Sequence, residues 1–254
     1  MTNEPRTSKY PELHKSAPPA SVPFELPEPT GDHLLGDQYA AKDIAELADS
    51  ELVLEGLKRA HSRYRDGFQK LRQAMQARDP NETEAKHVTE SKTVADKWLK
   101  QAGQQADQAA ERAKLALNRI RSDIQDQCQL DETPRAAEIR SMLRGLKPTE
   151  RTELVSNAIR DGDAEILGAI LHGSPVLTGF DEQTRQSFKQ AYVRTHAPDL
   201  LKRQQVIEKA LEINSLTNIE ALENYSKIFD QQRMAGISQA QAKSKAARAA
   251  VLED

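Results

Sequence analysis

Beyond residue 40 the apolar positions recur in steps of three and four rather than alternating, which predicts helices and no strand pair. In residues 40–78, Leu47, Leu54, His61, Phe68 and Met75 stand seven residues apart, and Ser50, Leu57, Tyr64 and Leu71 fill the place three residues further on. This spacing is a heptad seam with Ser50 and His61 as polar interruptions, and it predicts a long helix. The stretch ADSEL also reads as a start signal, with Asp49 or Ser50 able to cap a second helix after a short first one. Asp79-Pro80-Asn81 ends the run.

A second long helix is predicted over residues 82–130, with Gly103 as its weak point. Its seam is Ala95, Trp98, Ala102, Ala106, Ala109, Ala113, Leu117, Ile120, Ile124 and Cys128, three repeats of eleven residues. An eleven-residue repeat keeps the stripe almost straight. The four consecutive alanines, Ala102, Ala106, Ala109 and Ala113, let another helix approach closely. At 1.5 Å per residue the rod is ~70 Å long, more than a compact domain needs. Oligomer contacts are expected along it, and along Leu54, Leu57, Tyr64, Phe68 and Leu71 of the first helix.

From Thr133 the punctuation becomes dense. Thr133-Pro134 starts a helix that Gly145 stops, Lys147-Pro148 starts the next, and Asp161-Gly162-Asp163 closes that one and caps a third. Ile139, Leu143, Leu146, Leu154, Ile159, Ile166, Leu167 and Ile170 supply a small core. Asp181 caps a helix to about His196, Ala197-Pro198 breaks it, and a last helix is predicted from Asp199 to about Met234. The Ala- and Lys-rich stretch from Gly236 reads as frayed helix or disorder.

Seven of the twelve prolines fall within residues 5–29, so this segment is expected to be extended. Val22, Phe24 and Leu26 alternate between prolines in a pattern suited to a groove, and they predict an arm docked on a partner surface. The expected organisation is thus an extended arm (1–37), a long helical hairpin (38–131), a small helical domain with a long last helix (132–235) and a tail (236–254). The fold class is all-α.

Composition agrees with exposed helices: 37% of residues are hydrophobic, 4% aromatic and 30% charged, and the mean hydropathy is −0.72. The net charge of −3 gives no general attraction to nucleic acid or anionic membranes. The basic runs Arg59, Arg63, Arg65, Lys70, Arg72 and Lys243, Lys245, Arg248 could follow phosphates, but acidic residues interrupt the first and aromatic stacking residues are few, so nucleic acid is not the favoured partner. No run approaches the ~20 apolar residues of a membrane span, and MTNEPRTSKYPEL has no apolar core of a secretory signal. The single cysteine, Cys128, excludes an intramolecular disulfide and closes an apolar stripe, where burial is expected.

Catalytic and metal chemistry finds little support. LHGSPVLTGF, residues 171–180, lacks the G-x-S-x-G elbow of a serine nucleophile. Ser174 before Pro175 reads as a cap, and Val176, Leu177 and Phe180 as side chains folding inward at a corner. His61 is expected in the seam, His87 on an exposed face, and no two histidines stand at i, i+4 as a helical zinc pair would. No phosphate-binding glycine loop or EF-hand loop occurs. No cofactor, metal or enzymatic activity is expected.

Residues 135–212 carry AEIR-x-x-L, a proline-initiated helix, A-I-R-D-G-D, I-L-x-A-I-L, the G-x-P-x-L-x-G-F corner and an H-A-P break. This region resembles small helical proteins of tailed-bacteriophage structural gene modules. The resemblance covers about a third of the chain and implies a non-enzymatic virion component, associated with head, portal or tail, that binds itself and other virion or assembly proteins. It would reside in the virion, or in the host bacterial cytoplasm during assembly. The alternatives are a scaffolding or ejected internal protein, and a DNA-associated coiled-coil protein of a bacterial cell.

Overall fold

The computed structural model describes residues 26–48 and 51–250, and these are all-α. Val22 and Phe24 lie outside the described residues. The helices are α1 (Asp32–Leu35), α2 (Lys42–Ala48), α3 (Leu52–Gln76), α4 (Glu84–Cys128), α5 (Ala136–Gly145), α6 (Pro148–Asp161), α7 (Ala164–Leu171), α8 (Pro175–Thr178), α9 (Glu182–His196), α10 (Pro198–Ile228) and α11 (Gln231–Ala250), with a 3-10 turn at Gln38–Ala40.

The two-helix reading of the first seam is the one adopted: α2 stops at Ala48 and α3 begins at Leu52, with Glu51 extended before it. The α3 stripe buries Leu54, Leu57, His61, Tyr64, Phe68, Leu71 and Met75, with Ala60 added. Thr83 caps α4, its Oγ1 accepting from the Lys86 amide at 3.3 Å, and Gln129 closes the helix in the left-handed region at φ 48. The eleven-residue seam is buried throughout, apart from half-buried Trp98, and Val88 extends it by nearly two turns.

A stripe that stays straight can be covered along its whole length. Antiparallel α3 covers one side of it, with Tyr64 and Phe68 opposite Trp98 and Gly56 opposite Ala109. Antiparallel α10 covers the other, where Arg121 meets Glu208 at 2.9 Å and the Tyr225 hydroxyl donates to Asp96. Two expectations change here. First, Ala102, Ala106, Ala109 and Ala113 are 1%, 0%, 8% and 0% exposed in the single chain. The close approach they permit is used by α3 and α10, so these alanines, with Leu54, Leu57, Tyr64, Phe68 and Leu71, are intrachain core and not oligomer contacts. Second, α10 belongs to this three-helix bundle rather than to the small domain. A helix of 31 residues is ~46 Å long, and the 15-residue α9 covers only about half of that.

Helices α5–α9 pack at the far end of α4 around Leu143, Val155, Leu167, Ile170, Phe180, Tyr192 and Val193. Their boundaries follow the predicted punctuation. The Lys147 amide donates to Glu150 (2.9 Å), Asp163 accepts from the Ile166 amide (3.0 Å) and Asp181 from the Thr184 amide (2.7 Å). Gly162 and Gly179 take φ 81 and 75, where a glycine closes a helix at least cost. The last helix stops earlier than expected, at Ile228, because Asp230 caps a new one by accepting from the Arg233 amide at 2.9 Å. The stretch from Gly236 is then helix, as part of α11, and α11 has no buried residue.

Candidate functional site

The corner at residues 171–180 is built around Thr178 and Phe180. Phe180 is 8% exposed and meets Phe188 edge-to-face at 5.0 Å. Thr178 is fully buried, its hydroxyl donating to the Ser174 carbonyl (3.2 Å) and accepting from the Phe180 amide (3.4 Å). Two arginines brace the turn from within. Arg151 donates to the carbonyls of Thr178 (3.5 Å) and Leu146 (3.0 Å), and Arg185 to those of Leu171 (3.2 Å) and Gly173, while pairing with Glu182.

Val176 and Leu177 correct the sequence reading, for they are 87% and 36% exposed. In the single turn of α8, Thr178 takes the inward place, and Val176 and Leu177 fall on the outside. Ser174 makes no side-chain cap bond; its backbone carbonyl accepts from the Thr178 hydroxyl. Met142, on the neighbouring α5, is also exposed.

The histidines act as braces between elements. Four of them donate to backbone carbonyls, which fixes the proton on the bonded nitrogen: His61 Nε2 to His33 (2.8 Å), His87 Nε2 to Met75 (3.2 Å), His172 Nε2 to Leu130 (3.0 Å) and His196 Nε2 to Ile159 (2.6 Å). His87 is therefore half-buried between α3 and α4 rather than on an open face. Burial holds His61 below the usual histidine range.

Sequence reasoning missed a strap. Residues 26–48 lie along α3 and α10 and bury Leu34, Tyr39 and Ile44, with Leu26 half-buried against the same core. The strap is tied to polar residues of α10. Asn224 accepts from the Thr30 amide (2.7 Å) and donates to the Thr30 carbonyl (2.5 Å), Glu220 accepts from the Leu34 amide (2.7 Å), and Thr217 donates to the His33 carbonyl (3.0 Å). Glu28 pairs with Arg72 of α3 through both oxygens. The signal for this was present in the sequence: Asn214, Thr217 and Asn224 sit at seam spacing on α10 among Ile213, Ala221 and Ile228. Buried amides and hydroxyls at such places need backbone partners.

The strap closes the α3–α10 side of the bundle. The α3–α4 side carries a groove whose floor includes Trp98, Leu71, Ala74 and Ala95, with Val94 exposed beside them and Arg63, Asp66, Lys70, Glu90 and Gln105 at the rim. Gly67 makes the floor possible: a Cβ there would stand 2.2 Å from the Trp98 indole. Tyr64 and Phe68 hold the indole edge-to-face at 6.3 and 5.0 Å.

Desolvation raises the Cys128 thiol above its usual value and pushes the Tyr64 phenol up to about 12. Cys128 is buried, as its stripe position predicts. Among the described residues no group of three His, Cys, Asp or Glu side chains is placed to hold a metal, and no helix is long and apolar enough to cross a membrane. Of the basic run on α3, Arg59 pairs with Glu55, Arg65 with Asp66 and Arg72 with Glu28, which reduces its field for phosphates. Comparison with protein-family models, curated proteins and solved structures gives no match to this chain.

Proposed function

We propose that the chain is a non-enzymatic structural or assembly protein, a helical component of a phage particle that works by binding other subunits. The observation that carries this reading is α11. It has no buried side chain, and beyond Ile237 it runs on as a helix of exposed residues to Ala250; an isolated helix of this length and composition is marginal in water. Such an element gains its stability from a surface beyond its own fold. The exposed apolar pair Val176 and Leu177 on α8 is a second, smaller contact of the same kind. Copy number measured by mass spectrometry of purified virions tests the reading. A fixed stoichiometry supports a resident component, presence only in precursor particles points to scaffolding, and absence from both defeats the proposal.

A second reading, association with nucleic acid, draws on the charge of the same helix. Residues 231–250 contain Arg233, Lys243, Lys245 and Arg248 and no acidic residue, within a chain of net charge −3. Arg233 is committed to Glu84 at 2.6 Å. The other three basic side chains give an expected log–log salt slope of roughly −3 on duplex DNA. Binding that shows no salt dependence, or none detectable at low salt, removes this reading.

A further inference from the structure

We infer that the α3–α4 groove is a docking site for a second copy of the chain, and that the element it receives is the outer side of that copy's α10. Both halves of the contact are visible on one molecule. The groove has an apolar floor at Trp98, Leu71 and Ala95, with exposed Val94 beside it and Gly67 keeping the α3 wall low. Its charge is one-sided once internal ion pairs are taken into account. The rim acids are engaged within their own chain, Glu55 by Arg59, Asp66 by Arg65 (3.6 Å) and Glu90 by Lys86 (3.7 Å). Arg63 and Lys70 stand two turns apart on the same side of α3, are exposed, and have no ion pair among the described residues. The open groove is therefore apolar and cationic.

The outer side of α10 is its complement. Ile219 and Leu222 are 51% and 59% exposed on a helix whose inner side is core. Glu212 and Glu223, three turns apart on that outer side, flank them, and both are exposed with no ion pair among the described residues. Arg63 to Lys70 spans ~10.5 Å of α3 and Glu212 to Glu223 ~16.5 Å of α10, a difference that the long arginine and lysine stems cover. An apolar helix face laid between two helices is a known mode of recognition, and opposite charge at its edges fixes its register. A chain's own α10 cannot fill its own groove, because its inner side is held against α3 and α4. Groove and face stand at the same height: Tyr225, one turn past Leu222, bonds Asp96, two residues from Trp98. Copies therefore meet side by side without sliding along the bundle axis. The two surfaces differ, so the contact is head-to-tail and builds a ring or a filament. The helix α11 is a poor occupant, since Lys243, Lys245 and Arg248, with no acid beside them, meet Arg63 and Lys70 with like charge. The assignment moves self-association from the buried alanine seam to a surface open in the single chain, and it depends neither on α11 nor on a phage particle.

Sedimentation velocity of the full-length protein is the test. Wild type should show a mean mass above that of one chain, rising with protein concentration and falling with salt. Two variants at exposed positions each remove one half of the contact: Arg63→Glu with Lys70→Glu in the groove, and Ile219→Glu with Leu222→Glu on α10. Each alone should sediment as a monomer with wild-type circular dichroism. Mixed in equal amounts they should form a dimer of about twice the monomer mass and nothing larger, because the intact face of the first fits the intact groove of the second and the remaining halves do not match. Trp98 is the single tryptophan of the chain and lies on the groove floor, so its acrylamide quenching should fall in the same mixture. Wild type that stays monomeric up to its solubility limit overturns the proposal, and so does a mixture that does not dimerise. Self-association that survives in either variant overturns it as well, and survival in the α10 variant alone hands the groove to a different occupant.

Discussion

Gly67 and Gly103 are both helical glycines beside aromatic side chains, yet alanine should act on them in opposite directions. At Gly103 a Cβ would meet only the Tyr64 hydroxyl at 3.6 Å, an ordinary contact. Gly103→Ala should therefore gain the ~0.5–1 kcal/mol that alanine offers over glycine in a helix. At Gly67 the Cβ would overlap the Trp98 ring, which is a rigid plate wedged against Tyr64 and Phe68 and cannot swing aside as a flexible chain would. Gly67→Ala should cost ~1–3 kcal/mol, net of its propensity gain, and shift the Trp98 emission. Thermal melts of the two variants check the sign of each. His61 adds a pH dependence at the same scale. Its ring is enclosed by the His33 carbonyl and the Tyr39 ring at 5.5 Å, with Arg65, Asp37 and Asp66 as the charges that act on it. Burial lowers its pKa in the folded chain, so the unfolded chain takes up a proton first as pH falls. The stability contributed by neutral His61 is complete above about 6.5, the unfolded value, and is lost as pH falls from there through the folded value. His61→Gln, which keeps a donor for His33, should flatten the decline in melting temperature between about pH 7 and pH 5. Parallel curves for variant and wild type would show that the decline has another source.

At the scale of the element, Ala106 and Ala109 decide what the long seam is for. Both are buried between α3, α4 and α10 within one chain. Ala106→Glu with Ala109→Glu places two carboxylates in that seam, and should cost several kcal/mol and lower helicity, not merely dissociate an oligomer. Circular dichroism and sedimentation run on the same sample separate the outcomes: lost sedimentation mass with intact helicity would return the seam to an oligomer interface. The same residues show what was legible in the sequence. Periodicity named nearly every buried position of α3 and α4, because a stripe records which side of a helix leaves water. It did not name what covers the stripe, since a partner helix from the same chain and one from a second copy impose the same pattern. Length and polar interruptions held the missing information. A 31-residue α10 is too long for the short helices beside it, and its buried Thr217 and Asn224 mark a side that meets backbone. The corner failed at Val176 and Leu177 for a related reason: a four-residue helix is too short to show a period, so apolar character alone could not tell the inner side from the outer. The groove was least legible, because Gly67 matters through Trp98, thirty-one positions away in the chain.

Across the whole molecule, burial runs through the strap, the three long helices and the small helices, and stops at α11. The strap, α3, α4 and α10 share one core that continues through Leu130 and Ala197 into the small helices, and two bonds stitch that junction: His172 to the Leu130 carbonyl and Gln127 to the His196 carbonyl at 2.6 Å. Opening any of these elements exposes part of the same core, so they should exchange amide hydrogens as slowly as the bundle unfolds. Past Met234 and Ile237, which rest on the core's edge, α11 has only its own backbone bonds. Its residues from about 240 onward should exchange orders of magnitude faster than α10, and their removal should leave the melting temperature of the body unchanged. Hydrogen exchange read by mass spectrometry on the free protein, and again in a purified particle or on duplex DNA, then ties this difference to function. Protection that develops in residues 240–250 only with the particle identifies α11 as the docking element of an assembly protein. Protection that develops on DNA and fades as salt rises assigns it to phosphates instead. Full protection in the free chain would mean that α11 is already covered, and the case for it as the unpartnered contact would collapse.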